Sequence, residues 1–292
     1  MNKQPPTGAG RAALDAVTLI SVTHQSRRWV DGMAATMNQF NHAIVIDNAS
    51  TDGTVDLLEE RVPQGVFLRN RKNVGFGAAL NLGLARTTTE FALLINPDCE
   101  IMSPDVSTLV AAAGEFPSAA LMSPQILNFQ NQAEISFDWA HPLGLESCTY
   151  SVPDGPASTM LLSGCCLFVR VALFRSMNCF DEQFFMYFEE KDICRRAVAK
   201  GFDCLIIPQA VARHAGASSS APSWRVEHIK LRHYFRSKRL FMAKHEGINT
   251  SETRQAVEFM ISIVMICLFC VTFQGRRARK WFARAHSYFS TS

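Results

Sequence analysis

Three short stretches near the start of the chain are dominated by apolar and β-branched residues. They are Val17 to Thr23 (VTLISVT), His42 to Asp47 (HAIVID) and Phe91 to Ile95 (FALLI). Runs of this length and composition read as strands buried on both faces, the pattern of a parallel sheet covered by helices. Between them the spacing predicts helices over about Arg28 to Phe40, Thr54 to Arg61 and Phe76 to Arg86. Ser50, Thr51 and Asp52 supply N-cap oxygens for the second of these. Strand and helix in alternation predict an α/β fold with a mostly parallel central sheet.

Each apolar run stops abruptly in polar residues: Thr23 and His24, then Asp47 to Ser50, then Asn96, Pro97 and Asp98. Ligands of open α/β sheets bind beyond the carboxyl ends of the strands, so these positions are the ones to inspect. The same transition is also ordinary wherever a strand enters a loop.

Farther on, Ser163 to Arg170 reads as a strand followed by a short helix through Met177. Glu189 to Lys200 reads as a helix ended by Gly201, Cys204 to Ile207 as a strand, and the chain is helical from Trp224. Ser118 to Met160, richer in Pro, Ser and Asn, has no readable period. Residues 1–16 lack the continuous apolar core of a signal peptide and are expected to be a disordered leader. The longest apolar run, Phe259 to Phe273, is broken only by Ser262 and Thr272. As a helix it rises roughly 22 Å, short of a ~30 Å hydrocarbon core, so no spanning helix is expected. The domain reading is a leader (1–16), an α/β domain (17–246) and a helical, basic extension (247–292).

Composition sharpens this outline. With 48% hydrophobic and 19% charged residues among 292, global disorder and collagen-like repeats are excluded. The net charge of +3 gives no reason to expect nucleic acid, but the sum hides an asymmetry. Residues 1–224 hold 16 basic and 22 acidic side chains, and residues 225–292 hold 13 and 4. The first part suits a bound cation, and the second suits phosphates or an anionic cytoplasmic membrane face. Packing of that basic end on the first domain, or on a second copy in a homo-oligomer, is the alternative. Nine scattered cysteines, an odd count in a long chain, point to a reducing cytoplasm. Cys267 and Cys270 have the C-x-x-C spacing but no second pair, and an apolar setting argues against a metal site.

Three elements carry candidate chemistry: Asn96, Pro97 and Asp98 after a strand; Glu189, Glu190 and Asp192 within FFMYFEEKDICRR; and His214. Taken singly each has a plain structural explanation, as a cap, as acidic residues at the positive end of a helix, and as a packed histidine. In this order, however, the chain resembles family 2 glycosyltransferases of the GT-A nucleotide-sugar-binding fold. The likeness rests on Ser21 to His24, Val45 to Thr54 (VIDNASTDGT), Asn73 to Gly77, Leu94 to Asp98 (LINPD) and Phe180 through Arg195. It covers about residues 17–240, and its wording is nearest to bacterial rhamnosyltransferase-like members.

The resemblance implies an inverting transfer of a sugar, L-rhamnose by that wording, from a nucleoside diphosphate to a hydroxyl of a glycan or lipid-linked glycan. It implies that Asp98 and His214 hold Mg²⁺ or Mn²⁺ and that Glu190 is the base, with Glu189 as its alternative and Asp192 as a supporting or acceptor-binding group. Thr23, Asp47, Asn48, Asn73, Gly75 and Asn96 are implied around the donor nucleotide. Asn96 replaces the acid of the commoner Asp-x-Asp, so charge on the metal falls to Asp98. Glu190 stands where most relatives carry Asp. Two other readings stay open: a nucleotidyltransferase, which wants a glycine-rich loop where this chain has THQSRRW, and a non-catalytic nucleotide-sugar-binding module.

Overall fold

The computed structural model describes residues 8–134, 137–138, 152–216, 224–247, 252–272 and 274–288. Along the first half run α1 (Gly8–Asp15), β1 (Val17–Thr23), α2 (Val30–Met37), β2 (His42–Asp47), α3 (Thr54–Arg61) and β3 (Val66–Arg69). Then come α4 (Phe76–Arg86), β4 (Phe91–Ile95), β5 (Cys99–Ile101), α5 (Ser103–Glu115) and β6 (Ala119–Leu127). β7 (Phe137–Asp138), β8 (Ala157–Ser158), β9 (Leu161–Leu162), β10 (Cys166–Arg170), α6 (Val171–Ser176), α7 (Glu189–Ala199) and β11 (Asp203–His214) follow. The chain closes with α8 (Trp224–His245), α9 (Glu252–Val271) and α10 (Gly275–His286).

The main sheet has the order β3-β2-β1-β4-β10-β6-β11-β5, with β8 also on β11. β1, β2, β3, β4, β6 and β11 run one way, and β10, β5 and β8 run against them. Thr23 pairs with Asp47 and Ser21 with Ile95, so the carboxyl ends of β1, β2 and β4 share one edge. Alternate residues feed two cores. Leu19, Val45 and Leu93 pack with α2, α3 and α5 on one face, and Ile20, Ile46 and Leu94 pack with α4, α6 and α7 on the other. Burial on both faces is why these strands read as unbroken apolar runs.

Three local features differ from the sequence reading. Gly8–Asp15 forms a helix where a disordered leader was expected, because Leu14 joins the core beside α5; residues 1–7 lie outside the described residues. The cap of α3 is Gly53, at φ +80°, and Asp52 instead accepts the Thr54 N–H from one position earlier. β11 does not end at Ile207. Its register against β6 slips between Ile207 and Val211, around Pro208, and the strand resumes to His214. A proline has no N–H for the ladder and is tolerated at such a bulge.

The chain divides into two compact units, one running through Asp181 and including Glu190–Ser219, the other made of Glu182–Glu189 and Ser220–Ser292. The division falls ahead of α8, which the sequence reading places in the first domain. In the second unit the aromatic run before α7 supplies the core: Phe184 and Phe188 pack with Phe241 of α8. No helix among the described residues is long and apolar enough to cross a membrane.

Glycine decides how closely α4 approaches the sheet. A Cβ on Gly83 would meet Ile20 Cγ2 at 2.6 Å and Ile46 Cδ1 at 2.9 Å, whereas one on Gly114 of α5 would meet nothing within 4 Å. Gly83→Ala should therefore destabilise by roughly 1–3 kcal/mol through overpacking. Gly114→Ala should stabilise by about 0.4–1 kcal/mol through helix propensity and chain entropy. Denaturant midpoints check both, and equal shifts for the pair would contradict this packing.

Candidate active site

At the carboxyl edge of β1 and β2 the polar residues bind one another. Thr23 Oγ1 donates to Asp47 Oδ1 at 2.9 Å, and Asp47 Oδ2 accepts the Ser50 N–H at 2.9 Å. Asn48 Nδ2 donates to the Gly75 carbonyl at 3.1 Å, and its Oδ1 accepts from Asn70 Nδ2 at 2.8 Å. Asn73 Oδ1 accepts the Gly75 N–H at 3.0 Å, and Gly75 at φ +98° opens α4 in a conformation that favours glycine. Thr23, Asp47, Asn48, Asn73 and Gly75 are thus brought into one network. The side chains of Asp47 and Asn48 are buried, so the network first fixes the shape of the loops that a nucleotide would meet.

The next turn of chain carries Asn96 and Asp98. Asn96 N–H donates to the Cys165 carbonyl at 2.9 Å, tying the loop after β4 to the start of β10. Asp98 is buried and its Oδ1 lies 3.4 Å from His214 Nε2. His214 Nδ1 lies 3.6 Å from Glu134 Oε2. Glu134 is the residue that sequence reasoning missed; it sits in a polar loop with no period or motif to mark it. Burial alone would push the His214 imidazole down, but the Asp98 hydrogen bond and the negative charge of its surroundings, including Glu134, outweigh it and raise it to about 9.

Among the described residues, no three His, Cys, Asp or Glu side chains are grouped so as to hold a metal by themselves. Asp98 and His214 nevertheless offer one hard oxygen and one imidazole nitrogen side by side. That donor set fits a divalent cation whose other positions come from phosphate oxygens and water. A carboxylate on the far ring nitrogen, as Glu134 provides, is the usual support for a ligating histidine.

Glu190 lies in the first turn of α7, where the acidic cluster faces the positive end of the helix. A methyl group placed on Gly164 would lie 3.5 Å from Glu190 Cβ. Gly164 directly precedes Cys165, whose carbonyl binds Asn96, so Glu190 lies near the chain segment that holds the Asn96–Asp98 loop. Burial pushes the Glu190 carboxyl up. Glu189 is buried at the helix start. Asp192 is fully buried and binds Arg196 at 2.8 Å, and Arg196 donates in turn to the carbonyls of Met177 and Cys179. Asp192 therefore anchors the helix instead of facing a substrate, and its i, i+4 spacing to Arg196 was the available signal. Tyr187 and Phe188, just ahead, hold φ +69° and +70°. Two consecutive non-glycine residues in that region are strained, by about 1–3 kcal/mol each. The packing of Phe188 on Tyr234 and Phe241 of α8 holds them there.

Comparison with known proteins gives this geometry a family. The model described as "Glycosyl transferase family 2" matches residues 24–176, just over half the chain. The chain belongs to glycosyl transferase family 2. This glycosyltransferase is 25% identical over 268 residues to an N-acetylglucosaminyl-diphospho-decaprenol L-rhamnosyltransferase of Mycobacterium tuberculosis (strain CDC 1551 / Oshkosh), covering 80% of this chain and 86% of the relative. In fold it is similar to the mannosyltransferase PcManGT of Pyrobaculum calidifontis, solved with GDP-Man and Mn²⁺. The TM-score is 0.55 at 13% identity over 94% of this chain and 70% of the other. It is also similar to GalNAc-T7, solved with UDP, GalNAc and Mn²⁺, with a TM-score of 0.53 at 15% identity. That match covers 76% of this chain and 47% of GalNAc-T7, so the glycosyltransferase spans about half of that structure. The fold is of the GT-A type expected from the sequence.

The His214 pair generates a pH prediction. Its folded value of about 9 lies above the ordinary 6.5. The ion pair therefore contributes fully below pH 6.5 and is lost as pH rises through about 9. In metal-free buffer, the melting-temperature gap between wild type and His214→Gln should shrink across that window. A gap that stays constant would show that the pair is not charged.

Proposed function

We propose that this glycosyltransferase moves a sugar from a nucleoside diphosphate to a hydroxyl of a glycan or lipid-linked glycan, with inversion at the anomeric carbon. The observation that carries the reading is the buried Asp98–His214 pair at the carboxyl ends of the strands, with Glu190 close to Gly164, the residue before the Cys165 carbonyl that holds the Asn96 loop. L-Rhamnose as the sugar and a lipid diphosphate as the acceptor are supported by the activity named for the mycobacterial relative. Substrates of that kind favour work at the cytoplasmic face of a membrane, with peripheral contact through the basic C-terminal end.

In this scheme Glu190 takes the proton from the acceptor hydroxyl as its oxygen attacks the anomeric carbon. The bond from that carbon to the diphosphate oxygen breaks, and the nucleoside diphosphate leaves from the opposite face. One carboxylate is enough, because no glycosyl-enzyme forms. Asp98 and His214 would hold Mg²⁺ or Mn²⁺, which supplies positive charge against the departing diphosphate. Asn96 offers an amide to a ribose hydroxyl, and the network around Asp47 and Asn48 positions the nucleoside. A carboxyl raised by burial is the better-matched proton acceptor near neutral pH.

Glu190→Gln should lower turnover by roughly 10²–10⁴-fold while leaving nucleotide binding intact. Full turnover by this variant would transfer the role to Glu189 or end the scheme. Because the base works deprotonated and its carboxyl is raised, the wild-type rate should climb with pH through a midpoint above the usual 4.5 of glutamate. The measurement is diphosphate release across a panel of nucleotide sugars, which also identifies the donor. Chelation should abolish that release and Mn²⁺ restore it, and Asp98→Ala should not be rescued. Undiminished activity in chelator would exclude the metal pair.

A further inference from the structure

Helix α9 is built inside out. Its inner face carries Ser262, fully buried and bonded back to the Glu258 carbonyl, and Glu258 itself accepts from Tyr288 and Arg284. Its outer face carries Val257, Met260, Val264, Leu268 and Val271, which are 51–76% exposed. A helix whose outer side met only water would reverse this arrangement.

Beside it, α10 presents Arg277, Lys280, Trp281 and Arg284 on one stripe, at i, i+3, i+4 and i+7. Together with Phe235 of α8 and Met265 and Phe269 of α9 they line a cavity of about 450 Å³, within the range of small-ligand sites. Its walls are aromatic and aliphatic, and its charge is all cationic. Arg284 is neutralised by Glu258 at 3.3 Å, whereas Arg277 and Lys280 make no ion pair among the described residues. Arg277 rests over the Phe269 ring at 5.8 Å and Arg284 over Trp281 at 5.0 Å, so the guanidinium groups are held against apolar surface. Residues 274–292 include five basic and no acidic side chains.

We propose that this cavity binds the phosphate head of a membrane lipid, with the outer face of α9 set in the acyl layer. Two surplus cations at an aromatic wall match a phosphate ester joined to a hydrocarbon chain. A free anion would have no use for the aromatic walls, and an apolar contact between two copies would bring the like charges of both together. The inference rests on the proposed membrane-bound acceptor and names the surface that meets that membrane. The phosphate has two sources, a leaflet phospholipid or the polyprenyl chain of the acceptor.

Flotation of the full chain with sealed vesicles tests this. The vesicles are phosphatidylcholine alone, or the same with phosphatidylglycerol or a polyprenyl phosphate at matched surface charge. Binding is expected to either anionic vesicle and not to phosphatidylcholine. Preference for polyprenyl phosphate names the acceptor-type lipid as the source, and equal binding names the leaflet phospholipid. Lys280→Gln, in the cavity wall, should weaken binding roughly fivefold, the effect of one cation at a charged membrane. Arg279→Gln, the same charge loss on α10 outside the cavity, should change it less than twofold. Equal losses in both variants would reduce the site to general surface charge and overturn the proposal. So would failure to float, full displacement by inorganic diphosphate, or a lipid-free dimer that protects Cys267 and Cys270 from alkylation. Diphosphate release from the nucleotide-sugar panel tests sugar transfer separately, and its failure with flotation intact would overturn that reading alone.

Discussion

A three-residue strand holds the candidate metal pair together. β5 pairs antiparallel with the end of β11, matching Cys99 to His214, and the Ala215 N–H closes on the Asp98 carbonyl at 3.0 Å. Each such hydrogen bond contributes only about 0.5–1.5 kcal/mol net. What they secure is larger. Asp98 is buried, and a buried carboxylate that loses its charged partner costs on the order of 3–5 kcal/mol. The pairing therefore stabilises the fold and sets the placement of Asp98 against His214 in one stroke, with Glu134 3.6 Å from the other ring nitrogen.

The remaining site is held by two different kinds of constraint. Around Thr23, Asp47 and Asn48 it is hydrogen bonding, with each buried side chain already satisfied by a neighbour. Loops fixed in this way lose little entropy when a ligand arrives. Ahead of Glu190 it is packing. The left-handed pair Tyr187 and Phe188 persists because Phe188 is a core residue of the second unit, not because the backbone prefers that shape. An aromatic run directly before three carboxylates looks odd in a sequence, and its explanation lies in α8.

Which parts were legible follows from burial. β1, β2 and β4 appear in the sequence with the bounds they have in the structure, because strands covered on both faces leave an unbroken apolar signature. β5 is too short to leave one, β6 carries Ser123, Pro124 and Gln125 in its middle, and Pro208 masks the second half of β11. Asp98, Glu190 and His214 stood out through resemblance. Their mutual placement did not, since it depends on the β5–β11 pairing and on α7 starting close to Gly164. Glu134 becomes visible only in the folded structure, whereas the i, i+4 spacing of Asp192 to Arg196 was there to be read.

The strand order has one more consequence. β10 lies between β4 and β6, yet the chain reaches it only after β5 to β9 have been made. While the protein is being synthesised, β1 to β4 can pair as they emerge, but β6 has no neighbour to dock on until Arg170 has left the ribosome. Until then one long edge of β4 presents bare amide and carbonyl groups to any passing strand. A chain stalled in that interval is a template for aggregation, so the translation of residues 96–170 is the hazardous part of this protein's birth.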